Sequence, residues 1–193
     1  MELKNFFKNA TCEDVKIGGV LSTEKYQNEL SIAHGYFEVS MYLLDEVKNI
    51  RGTSDKKGDY WIYPIFSCVN SMIRYYLASI LYQLSIIATG VKGQEDCNYL
   101  NIEDMFNAVL QESKIKLQKE EIESAMETLK PIQEYFALMK GHNQALSELP
   151  KFNSKEEYYV NAEQYQKWVD VINSRLEGYL GQLEQLNEAV EYI

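Results

Sequence analysis

Residues 61–91 read WIYPIFSCVNSMIRYYLASILYQLSIIATGV, and the only formal charge in that run is Arg74. About twenty apolar residues are enough to cross a bilayer, so length alone permits a membrane span. The residue types argue for a soluble core instead. Ser67, Asn70, Ser71, Arg74, Gln83 and Ser85 are spread along the run, and a mid-span arginine is costly in lipid. No Lys/Arg cluster on one side sets an orientation. Pro64 suits the first turn of a helix, where its missing N–H costs nothing, and Gly90 suits a C-terminal cap. The run therefore predicts one long helix over 64–89, passing through the middle of a helical bundle.

Composition agrees. A chain of 193 residues with 46% hydrophobic residues can bury one sizeable core. Only 10 glycines and 3 prolines are present, which favours long helices over a turn-rich β fold. The net charge of −10, from 29 acids against 19 bases, argues against non-specific nucleic-acid binding, which needs cations to neutralise phosphates. It suits docking on a basic partner. Cys12, Cys68 and Cys97 are far apart and odd in number, as reduced cytoplasmic thiols would be. The start, MELKNFFKNATCED, lacks the apolar segment of a signal peptide. A cytoplasmic location with no membrane attachment is the expectation.

Working outward, residues 1–21 form an N-terminal extension broken by Gly18-Gly19, and the bundle domain spans 22–193. Tyr26, Leu30, Ala33, Phe37, Met41 and Leu44 recur at helical spacing. Ser22 or Thr23 can cap that helix, which should end near Asn49–Arg51 before the polar loop GTSDKKG. After a second polar loop around Lys92–Leu100, Asn101 caps a short amphipathic helix. Ile122, Met126, Leu129, Ile132, Phe136 and Met139 trace a further stripe. Pro131 should kink or split that helix, and Gly141 should end it. Residues 142–160 read as an irregular connection, and Asn161 with Gln164 forms a capping pattern.

The last helix carries the clearest period. Tyr165, Val169, Ile172, Leu176, Tyr179, Leu183, Leu186, Val190 and Ile193 alternate spacings of four and three, a heptad seam. Packing inside the protomer is the preferred reading of that seam. An intermolecular coiled coil is the alternative, and it makes these residues, from Tyr165 to Val190, candidate interface positions for a homodimer. Gly178 and Gly181 weaken the helix locally, and their small size permits close approach of a neighbour.

Chemistry-bearing motifs are sparse. His34 and His142 are the only histidines, and no paired cysteines or Glu-x-x-His motifs accompany them, so neither a metal nor a cofactor is expected. The sets Glu120/Glu123/Glu127 and Glu184/Glu188/Glu191 alternate with apolar stripes and read as solvated faces. Neither a phosphate-binding glycine loop nor a G-x-S-x-G elbow occurs. Tyr75-Tyr76 and Tyr158-Tyr159 read as packing and interface residues. Arg74 and His34 are the candidate functional or structural polar residues. Arg74 reads first as a structural arginine paired with a buried carboxylate or helix-end carbonyls, and His34 as a hydrogen-bonded structural histidine. An enzyme reading would make His34 the partner of Arg74.

The segment Tyr63-Pro64-Ile65-Phe66, opening a long apolar helix after an amphipathic one, resembles the second helix of prokaryotic HEPN-like proteins. The order of YFEVSMYLLDEV, the Pro-started helix, NIEDMFNAVL and a long closing helix is also similar, over roughly residues 25–190. The resemblance implies a helical bundle that often dimerises, in a superfamily associated with toxin–antitoxin and antiviral systems. The superfamily's charged second-helix positions are replaced here by Ser71–Leu77. The Arg-x4-6-His ribonuclease motif is absent, since Arg51, Arg74 and Arg175 have no such histidine.

The expectation is an all-α, single-domain bundle of about five or six helices, with a long buried central helix and a long heptad-patterned C-terminal helix. Its expected role is protein–protein binding, as a component, regulator or inhibitor in a microbial or phage conflict system. Two alternatives are a diverged HEPN-type enzyme acting on RNA or nucleotides, and an acidic decoy that occupies a partner's nucleic-acid surface.

Overall fold

In a computed structural model, residues 25–50, 57–89, 101–141 and 160–191 are described. They form five helices in the order α1 (Lys25–Asn49), α2 (Lys57–Thr89), α3 (Ile102–Lys116), α4 (Lys119–Gly141) and α5 (Ala162–Glu191). No strand occurs among the described residues, so the fold is an all-α bundle. No described helix is long and apolar enough to cross a membrane. The N-terminal extension, the Ser22 or Thr23 cap, the Lys92–Leu100 loop, His142, Tyr158-Tyr159 and Ile193 lie outside the described residues.

Helix α2 is the central element, and at 33 residues it is about 50 Å long. It touches α1, α3 and α5, and α5 in turn touches α1, α2 and α4. Ile65, Val69, Met72, Ile73, Tyr76, Leu77, Ile80 and Leu84 of α2 are almost fully buried. The directions of the helices follow from their cross-contacts. Phe66 meets Tyr165, Tyr76 meets Glu177 and Gln83 meets Asn187, so α2 and α5 run parallel. His34 meets Glu177 while Asp45 meets Gln166, so α1 runs antiparallel to α5. A two-residue link, Leu117-Gln118, joins α3 to α4.

Local sequence explains the helix starts. The Asn101 side chain accepts from the Asp104 N–H at 2.8 Å and caps α3. The Asn161 side chain accepts from the N–H groups of Glu163 and Gln164 at 3.1 Å each and caps α5. At the head of α4, Gln118 N–H donates to Glu121 Oε2 at 2.8 Å.

The two internal prolines correct the expectation. Pro64 lies inside α2 rather than in its first turn, because the helix begins at Lys57. Trp61 and Ile62 pack against the core and draw the preceding turns into helix. Pro64 leaves the Tyr60 carbonyl without its helical donor, but both residues are on the exposed side, where water can serve it. Pro131 likewise sits inside a continuous α4, with Glu127 one turn before it exposed. It does not split the helix.

Candidate binding face on α1 and α2

The heptad positions of α5 are occupied within the protomer. Tyr165, Val169, Ile172, Leu176, Tyr179 and Leu183 are at most 9% exposed and join the common core, with Leu186 packed against it. A partner could reach this seam only by opening the bundle, so it is an internal packing face. Val190 lies in α5, but its side chain is outside the description.

Polar groups in the core tie helices together. Tyr135 donates to Asn70 Oδ1 at 3.0 Å and lies 3.3 Å from the Tyr165 hydroxyl, linking α4, α2 and α5. Burial pushes both phenols above their ordinary pKa and also raises the Cys68 thiol. The Ser113 hydroxyl donates to the Val109 carbonyl and lies 2.6 Å from the Tyr179 hydroxyl. Burial pushes Tyr179 up to about 12. Asn187 donates to the carbonyl and the side-chain oxygen of Gln83, joining α5 to α2. Such buried groups are costly unless bonded, so they fix how the helices face each other.

His34 and Arg74 go to different places. His34 Nε2 lies 3.1 Å from Glu177 Oε1, which also accepts from the Tyr76 hydroxyl at 3.0 Å. The His34 and Tyr76 rings are 5.9 Å apart. Burial, and then the Glu177 charge, hold the Tyr76 phenol well above its ordinary pKa. His34 and Glu177 are each roughly half exposed, so this set clasps α1, α2 and α5 at the surface. Arg74, two residues before Tyr76, projects from another side of α2. It is half-buried and engaged by neighbouring groups, rather than sunk in the core.

That side of α2 belongs to a larger face. Tyr60, Ser67 and Arg74 succeed one another at intervals of two helical turns, so they share a side of α2. Tyr60 is 69% exposed and Tyr63 is 50% exposed. About four turns further along α2, Tyr75 stacks on Tyr36 of α1, with ring centroids 6.0 Å apart at 14°. On α1, Ile32 and Val39 flank Tyr36 at helical spacing and are also exposed, and Tyr42 follows one turn later. Large apolar and aromatic side chains thus line both helices, with one arginine among them. The sequence did carry a signal for this face. Beside its core stripe, α1 has a second apolar row through Ile32, Tyr36, Val39 and Leu43.

Among the described residues, no three His, Cys, Asp or Glu side chains converge as a metal site would require. In comparisons with protein-family models, curated proteins and solved structures, nothing matches this chain.

Proposed function

We propose that this chain works as a protein-binding module, and that the α1–α2 face is its contact surface. The observation that carries the reading is the pair of exposed residues Ile32 and Val39 beside the Tyr36–Tyr75 stack, together with exposed Tyr60 and Tyr63 near the start of α2. Exposed apolar surface of this kind marks interaction sites. Tyrosine and arginine are the residues that dominate the energetics of such contacts. A tyrosine offers a large contact area at small entropic cost, and an arginine pairs with a carboxylate without demanding deep burial. The helix order resembles that of HEPN-like proteins, and the biological setting we favour is a microbial or phage conflict system. There the chain would serve as a component, regulator or inhibitor.

Affinity capture from the native host's extract tests this reading. A partner held by the wild-type chain should be lost by Val39→Asp and weakened about tenfold or more by Tyr60→Ala. Both positions are exposed, so helicity should be unchanged. Contact through an apolar face should also withstand salt, whereas an acidic decoy would release its partner steeply as ionic strength rises. A partner retained by Val39→Asp would overturn the assignment of this face.

A further inference from the structure

The outer side of α1 joins an apolar row to charges of one sign. Ile32, Val39 and Tyr42 project from it, with Val39 48% and Tyr42 64% exposed. Gly35 lies among them, one turn before Val39 and two before Tyr42. A glycine inside a helix costs about 1 kcal/mol relative to alanine, yet a Cβ at Gly35 would meet nothing within 4 Å. No described neighbour within the chain therefore requires it, and it leaves a notch between large side chains. Between Tyr26 and Val47 the chain carries Glu29, Glu38, Asp45 and Glu46 and neither Lys nor Arg. Asp45 is bonded by Lys48 and Gln166 on the α5 side, where His34 also meets Glu177. Glu38 and Glu46, one turn before and one turn after Tyr42, border the apolar row itself.

We infer that the occupant of this face is an amphipathic, basic helix of a partner protein. This rests on the α1–α2 contact surface proposed above and names what that surface selects. A helix laid along α1 sets its apolar row on Ile32, Val39 and Tyr42. It comes closest over Gly35, and Lys or Arg at its edge meets Glu38 and Glu46. A second copy of this chain is a poor occupant, because a two-fold pairing presents the same patch from both sides, and this stretch of α1 would then bring acids against acids. The apolar row holds the complex, so the contact withstands salt. The acidic border chooses the partner's sign and speeds encounter, and that part is screened by salt.

Two synthetic helices serve as probes, each with leucine in heptad rows and either lysine or glutamate at the remaining positions. The full chain should bind the lysine helix and not the glutamate helix. Val39→Ser and Gly35→Leu should each weaken binding about tenfold or more, and both sites are exposed, so circular dichroism should be unchanged. Glu38→Gln with Glu46→Gln should slow association about threefold or more at low salt. Glu123→Gln with Glu127→Gln, exposed on α4, removes the same charge from another face and should leave the rate within about twofold. Equal binding of both helices would overturn the inference. So would a lysine helix indifferent to the α1 variants, since its attraction would then belong to the chain's overall charge. A host partner released by Val39→Asp, with no binding of the lysine helix, would leave the contact surface standing and refute its basic occupant. A host partner retained by Val39→Asp would refute the surface itself.

Discussion

At the Tyr135 hydroxyl three helices meet, through a bond to Asn70 and a contact with Tyr165. Tyr135→Phe keeps the ring in place and takes a donor from a buried oxygen, which costs about 1–3 kcal/mol. Chemical denaturation should show that loss with the helical content intact. Glycines 178 and 181 pose the opposite case. Their placement within α5 pointed to close helix approach, yet a Cβ at either position would meet nothing within 4 Å. Close packing therefore does not explain them, and Gly178→Ala should stabilise the protein by up to about 1 kcal/mol through helix propensity. Thermal melts would register the gain. Arg74 shows why a lone charge in an apolar run is hard to place from sequence. The run is apolar on nearly every side, but the fold leaves one side of it only partly covered, and Arg74 lies half-buried on that side.

At the scale of elements, much was legible because local chemistry and burial agreed. Asn101 and Asn161 cap α3 and α5, as their side chains and following residues indicated. The α5 heptads became a buried stripe because a 3.5-residue period places those positions on one side. The start of α2 was not legible. Lys57 and Gly58 read as the end of the polar loop, and packing of Trp61 and Ile62 against the core draws the first turns into α2. The candidate face was legible only in part: α1 shows a second apolar row, but which of its two rows the bundle leaves outside depends on packing. Where α1 meets α5, Lys48 and Gln166 both bond the Asp45 carboxylate. Those hydrogen bonds, Lys48 first, hold its pKa below the ordinary 3.8. A lowered folded-state pKa adds stability above that value, and the addition is lost as pH falls through the folded value. Asp45→Asn should therefore flatten part of the acid limb of a pH–stability curve.

For the molecule as a whole, the buried phenols set an alkaline limit. Tyr76, Tyr135, Tyr165 and Tyr179 all have raised pKa values, with burial as the largest cause. In the unfolded chain they ionise near 10, while in the fold they stay neutral. The unfolded state therefore gains as pH rises past 10, by about 1.4 kcal/mol per pH unit for each phenol that stays protonated in the fold. Tyrosinate absorbance of these four should appear together with loss of helicity.

The central claim is that a partner protein docks on α1 and α2. Hydrogen–deuterium exchange of the chain, alone and with the partner it captures, tests this most directly. Slowed exchange is expected in peptides covering residues 32–43 and 60–75, with little change on the outer side of α5. Protection confined to α4 and α5, with α1 and α2 exchanging as in the free chain, would contradict it.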